Sequence, residues 1–136
     1  MGEIQTALRR IRTLSEEEFD TICRAHSVRV LTLFGSAVDP ATDDPGDLDI
    51  GVMFEPGDPH DILGLLEDLV SVLGTERVDL LDAERATETA RVRAIADGEG
   101  LYESEPMAYA EAAMAADALF METAEMRRAA LASLNP

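Results

Sequence analysis

Residues 28–54 read VRVLTLFGSAVDPATDDPGDLDIGVMF, and the two ends of this stretch differ in kind from its middle. Val28 to Phe34 is a run of β-branched and apolar residues bounded by Ser27 and by Gly35-Ser36, which predicts a buried strand. Pro40, Asp43, Asp44, Pro45 and Gly46 then crowd together, so the middle is loop after a brief helix that Ser36 opens as its N-cap. The closing DLDIGVMF alternates strictly, with Asp47, Asp49, Gly51 and Met53 on one strand face and Leu48, Ile50, Val52 and Phe54 on the other. The two aspartates therefore point the same way.

Upstream, Ile4, Leu8, Ile11 and Leu14 recur at helical spacing, and Ser15 to Glu18 forms a capping box for a second helix that turns Phe19, Ile22 and Cys23 inward. Downstream of the turn EPGDP, a helix runs from about His60 to Leu73, with Ile62, Leu65, Leu66, Leu69, Val70 and Leu73 on one stripe and Gly74 at its end. Arg77 to Leu81 (RVDLL) is a third strand, Thr87 to Asp97 a helix that buries Val92 and Ile95, and LYES after Gly98 and Gly100 a short last strand. The fold class is α/β in the broad sense (α+β): a small mixed sheet flanked by helices.

From Pro106 the composition changes. Met107, Met114 and Met121 recur every seven residues, with Ala110 and Ala118 between them on the same helical stripe. A single helix from Met107 to Ser133 would be roughly 40 Å long, against a radius of gyration near 13 Å for a core of about 100 residues. It must fold back, with Met filling gaps, or offer a face to a second chain. The chain thus divides into a domain at 1–106 and a C-terminal helix at 107–136.

At 136 residues, 46% hydrophobic and 29% charged, the chain has the balance of one folded domain. Its 28 acidic residues face 11 basic ones, all Arg, for a net charge of −17. That repulsion argues against direct binding to nucleic acid or to anionic lipid, and leaves solubility in an acidic proteome or a basic protein partner as explanations. Cys23 is the one cysteine, so no intramolecular disulfide forms, and its apolar helical setting predicts a buried thiol in a reducing cytoplasm. The opening MGEIQTALRRIRTL has no continuous apolar run, so neither a signal peptide nor a membrane span is expected. The expected localisation is cytoplasmic.

Asp47, Asp49 and Asp79 all sit on strands, and all three can converge on one edge of the sheet. Two carboxylates about 5 Å apart repel by roughly 3 kcal/mol at an effective dielectric of 20, so a cation belongs between them. Lys is absent and no His flanks these positions, which leaves a hard divalent ion, Mg²⁺ or Mn²⁺. Gly35-Ser36 beside them ends a strand and presents free backbone N–H groups and a hydroxyl, a corner suited to anions. A phosphate-binding turn next to carboxylate-held metal is what phosphoryl or nucleotidyl transfer requires. Gly-Ser or Asp-x-Asp alone says little. Their order carries the signal: strand, Gly-Ser, ten residues, Asp-Leu-Asp opening a strand, then a lone strand Asp.

FGS, ten residues, DLDIGV, then VDLL and IADGEGLYE resemble the minimal nucleotidyltransferase (MNT) domains of the polymerase-β-like superfamily over roughly residues 28–104. The resemblance implies that Asp47, Asp49 and Asp79 hold Mg²⁺, as two ions, that Gly35 and Ser36 hold the nucleotide phosphates, and that Asp79 helps activate the attacking hydroxyl. Members this small are similar to the antitoxins of two-gene HEPN/MNT toxin-antitoxin systems, which transfer AMP from ATP to a tyrosine hydroxyl of the HEPN toxin, an RNase. The implied partners are then ATP and a cognate HEPN toxin. The sequence departs from the family pattern after Gly-Ser, where Arg-x-Arg-Gly is usual and Ala37-Val38-Asp39-Pro40 stands here, and at Gly46, where Ser is common. Arg29 and Arg77 are the candidates to make up the missing charge. Two rival readings are a non-catalytic antitoxin that occludes its toxin, and a nucleotidyltransferase with a small-molecule acceptor, for which a homodimer would supply the missing acceptor domain.

His26 and His60 each stand alone and read as surface or capping residues, and Asp43, Asp44 and Asp58 as solvated loop acids. Arg127-Arg128 fits a helix C-terminus, and Tyr102 fits packing at a sheet edge.

Overall fold

The computed structural model describes residues 2–42 and 45–134; Asp43 and Asp44 lie outside the described residues. Four strands, β1 (Val28–Phe34), β2 (Leu48–Phe54), β3 (Val78–Asp82) and β4 (Glu99–Glu103), form one mixed sheet in the order β3-β2-β1-β4. β1 pairs antiparallel with both β2 and β4, and β2 pairs parallel with β3. Helices α1 (Glu3–Thr13), α2 (Glu16–Ala25) and α3 (Ile62–Leu73) cover one face. The short α4 (Glu88–Arg91), which runs on as a π turn at Val92–Ala96, and α5 (Ala108–Glu122) cover the other. None of the described helices is long and apolar enough to cross a membrane.

The alternation expected of residues 47–54 is observed. Leu48, Ile50, Val52 and Phe54 join Ile4, Ile11, Leu65 and Leu69 in the larger core, while Met53 faces the smaller cluster of Val30, Ala94, Ile95 and Ala112. Each fully buried Leu or Ile of this kind contributes roughly 1.5–3 kcal/mol. α2 opens with the expected capping box, Glu18 N donating to Ser15 Oγ at 3.1 Å and Ser15 N to Glu18 Oε1 at 3.3 Å. Gly74 ends α3 in the left-handed conformation, φ 72°. α3 starts at Ile62 rather than His60, because the Asp61 side chain caps it by accepting from Gly64 N at 3.0 Å.

The C-terminal segment corrects the sequence reading. No single long helix forms: α5 stops at Glu122 and α6 (Ala124–Leu134) follows. At the joint the Thr123 hydroxyl donates back to Leu119 O at 2.8 Å, and the Arg127 guanidinium lies 3.6 Å over the Phe120 ring. Arg127 also donates to Phe120 O at 2.6 Å, a carbonyl in the last turn of α5, so it serves a helix end as expected, that of α5, and pins the joint. The buried stripe of α5 is Ala108, Ala112 and Ala116, whereas Met107, Met114 and Met121 are 61%, 69% and 76% exposed. Small side chains let α5 seat closely on the π turn and β1, so the bulky methionines turn outward and fill no gaps.

Candidate active site

Parallel pairing of β2 with β3 sets Asp49 directly beside Asp79, and antiparallel pairing with β1 sets Asp49 beside Phe34. The carboxylates therefore gather at the end of the sheet where β1 runs into Gly35. Gly35 has φ 72°, and a β-carbon there would lie 3.2 Å from Asp49 Cγ and closer still to Oδ2. Only glycine lets the backbone turn pass over that carboxylate. The residues that follow form a single 3₁₀ turn, Gly35–Val38, and not a helix capped by Ser36. Ser36 lies inside the turn, which Asp39 N closes by donating to Ser36 O at 3.3 Å. Its hydroxyl is unengaged among the described residues.

Burial raises the pKa of Asp49, and the nearby charges of Asp79 and Asp47 push it further in the same direction. Arg93 pulls the other way. This arginine was not singled out from the sequence, and its position depends on a notch in the sheet. A β-carbon on Gly51 would meet Thr32 Oγ1 at 2.6 Å and Ala94 Cβ at 3.1 Å. The bare Gly51 admits the π turn onto β1 and β2, where Thr32 Oγ1 donates to Ala94 O at 2.7 Å. Gly51 is two residues along the same strand face from Asp49, so the residue before Ala94 brings its positive charge to that carboxylate. π turns inside helices often mark functional sites.

Asp47 is exposed, and its Oδ1 lies 3.5 Å from Arg77 Nε. Among the described residues no three His, Cys, Asp or Glu side chains close into a group that could hold a metal ion. An ion pair with both partners about half exposed contributes only ~0–1 kcal/mol, so little holds Asp47 away from the other two carboxylates. Three hard oxygen donors that repel one another, with a glycine turn passing over one of them, are the right chemistry for Mg²⁺. Of the two arginines expected to supply positive charge, Arg77 is engaged with Asp47. Arg29, at the far end of β1, pairs with Glu55, Glu105 and Glu111.

The remaining singled-out residues are structural. His26 caps the end of α2 and clamps it to α3, with Nε2 2.6 Å from Asp68 Oδ2 and Nδ1 3.1 Å from Asp61 Oδ2. His60 stacks on Phe54, ring centroids 4.7 Å apart, and its Nδ1 lies 2.6 Å from Asp82 Oδ2. Burial, and secondarily Asp20, pushes the Cys23 thiol up to about 12, as expected of an inert core thiol. Tyr102 packs at the sheet edge and donates its hydroxyl to Asp20 Oδ1 at 3.1 Å.

Three comparisons bear on this arrangement. No curated protein matches the chain. A chain of a toxin-antitoxin crystal structure with AMP-PNP superposes with a TM-score of 0.69 at 21% identity, over 90% of this chain and 100% of that one. A chain of the MntA-HepT toxin-antitoxin structure gives 0.64 at 20% identity, over 89% and 97%. A chain from the complex of tri-AMPylated Shewanella oneidensis HEPN toxin with MNT antitoxin gives 0.64 at 20% identity, over 89% and 96%. These likenesses establish the fold. The family model for polymerase beta nucleotidyltransferases matches residues 17–107, which carry the Gly-Ser turn, all three aspartates and the π turn. The chain belongs to the polymerase beta nucleotidyltransferase family.

Proposed function

We propose that this chain is a Mg²⁺-dependent nucleotidyltransferase antitoxin that moves AMP from ATP onto a tyrosine hydroxyl of a cognate HEPN toxin. The observation that carries the reading is the register of Asp49 against Asp79 under the Gly35 turn, with Asp47 one step away on the same face. Membership of the family makes nucleotidyl transfer the reaction class. The acceptor follows the neighbour whose HEPN toxin is tri-AMPylated.

Asp47, Asp49 and Asp79 would hold the metal, which when bound supplies positive charge to a triphosphate. The backbone at Gly35 and the free Ser36 hydroxyl hold the phosphates. Arg93 replaces the basic residues that Ala37-Val38-Asp39-Pro40 lacks. Asp79, exposed at the start of β3, accepts the proton of the attacking hydroxyl. The tyrosine oxygen then bonds to the α-phosphorus as the bond to the bridging oxygen breaks, and pyrophosphate leaves with the electron pair. The outward face of α5 and α6, with Met107, Met114 and Met121 exposed and no buried residue in α6, is where we place the toxin.

Incubating the purified chain with MgATP and the HEPN protein tests the reading. Pyrophosphate should be released only when all three are present. Pyrophosphate released without the HEPN protein, onto an added small alcohol or sugar, would favour a small-molecule acceptor. No release under any condition would leave occlusion by the apolar face as the antitoxin mechanism.

A further inference from the structure

The edge of the sheet opposite the carboxylates carries a second feature. β4 pairs with β1 on one side only, so among the described residues its outer row of N–H and C=O groups has no strand beside it. This edge is the floor of a groove of about 720 Å³ walled by the first turns of α2 and of α5. Leu101 and the ring of Tyr109 give it apolar surface, above the buried Phe19. Tyr109 stands at the α5 wall, its ring held where a β-carbon on Gly100 would sit and its one hydroxyl proton shared between Gly98 O at 2.8 Å and Ile95 O at 3.1 Å. Five carboxylates line the groove: Asp20 and Glu105 are paired with Arg24 and Arg29 from outside it, Glu103 accepts from Tyr109 N at 3.0 Å, and Glu16 and Glu17 stand on the α2 wall. Glu16 and Glu17 make no side-chain hydrogen bond or ion pair among the described residues.

We infer that this groove takes an extended basic segment of a partner protein, which adds to β4 as a fifth strand. An open edge between helical walls is the geometry of strand addition, in which main-chain bonds give affinity and flanking side chains give specificity. Charge selects the occupant. A second copy of this chain would bring its own Glu16 and Glu17 against this unpaired pair, so the groove refuses self-pairing, whereas Arg or Lys at alternate positions share one face of a strand and would meet Glu16 and Glu17 on the α2 wall, leaving the apolar positions between them to face Tyr109. The groove lies across β1 and β2 from Asp79, so the inference stands apart from the transfer reaction and survives if that reading fails.

The test is fluorescence anisotropy with a labelled alternating Arg-Val octapeptide and its Glu-Val counterpart, paired with amide chemical shifts of the whole chain. The Arg-Val peptide should bind, the Glu-Val peptide should not, and the shifts should centre on Gly100 to Glu103. Replacing Glu16→Gln and Glu17→Gln together should weaken binding at least fivefold while leaving ATP binding at the other edge unchanged. Equal binding of both peptides, affinity untouched by the double substitution, or shifts centred on Asp47, Asp49 and Asp79 would each overturn the inference. So would absence of binding. The shift map of the unaltered protein decides the matter even if a variant folds poorly.

Discussion

Gly35 and Asp49 share a space that holds only one of their side chains: a β-carbon on Gly35 would press against the Asp49 carboxylate, 3.2 Å from its Cγ. Gly35→Ala therefore faces two penalties, the left-handed φ of 72° and the collision. A strained backbone position of this kind costs of order 1–3 kcal/mol. The variant should fold with a lower melting temperature and lose most of its affinity for MgATP, measured by calorimetry. Wild-type affinity in Gly35→Ala would show that the turn does not hold the phosphates.

Asp49 should trade stability for function. Its pKa is raised by burial and then by Asp79 and Asp47, so its ionised form is disfavoured in the folded state. The sign follows: the cost is present at neutral pH, where Asp49 is charged, and disappears as pH falls through the raised pKa towards the unfolded value. Asp49→Asn should melt about 2–4 °C higher than wild type at pH 7 and show no advantage near pH 4. Thermal melts across that range read the result directly, and an equal gain at both pH values would contradict the electrostatic cause.

Arg93 is the cation that acts on the carboxylate cluster from the π turn. If it meets the outer phosphates, Arg93→Ala should raise the Kd for MgATP by about 10- to 100-fold, the size of a lost charge-assisted hydrogen bond of roughly 1.5–3 kcal/mol. Affinity for AMP should change less than about twofold, since AMP lacks those phosphates. Arg93→Lys should recover part of the loss. Equal weakening for AMP and ATP would instead mean that Arg93 only steadies Asp49.

His26 makes stability depend on pH in the opposite range. Burial lowers its pKa, but the hydrogen bonds to Asp68 and Asp61 outweigh burial and the net shift is upward. Asp61 is correspondingly lowered, by Gly64 N first and His26 second, so it stays ionised wherever His26 titrates. The clamp between α2 and α3 is therefore at full strength below the ordinary His pKa of about 6.5 and weakens as pH rises through the raised value. The melting gap between wild type and His26→Gln should be on the order of 3 °C at pH 6 and shrink by pH 9.

The alternation in 47–54 identifies the faces of β2, because a strand has period two and Asp47 and Asp49 cannot share a core with Leu48 and Ile50. The Ser15-Glu18 capping box and the Gly74 stop are equally local. That Asp79 lies beside Asp49 depends on a parallel pairing between strands that are distant in sequence, which followed from the family resemblance and not from periodicity. Arg93 was illegible because its place depends on the missing side chain of Gly51, forty-two positions earlier in the chain. The methionine stripe left two readings open, gap-filling or an outward face, for a different reason. Seven-residue spacing marks a helical face but does not say whether that face or the Ala108-Ala112-Ala116 row beside it is the buried one, and close approach to the π turn favours alanine.

On the proposed function, Asp47 and Asp49 drive AMP transfer onto a protein partner, and the intact mass of the HEPN protein reports it, measured after co-expression with the wild-type chain and again with the Asp47→Asn/Asp49→Asn pair. The expected result is a gain of one or more AMP units that vanishes with the pair of substitutions, while the two proteins still co-purify. An unmodified HEPN protein in both cases, neutralised as well by the double variant as by wild type, would contradict the claim.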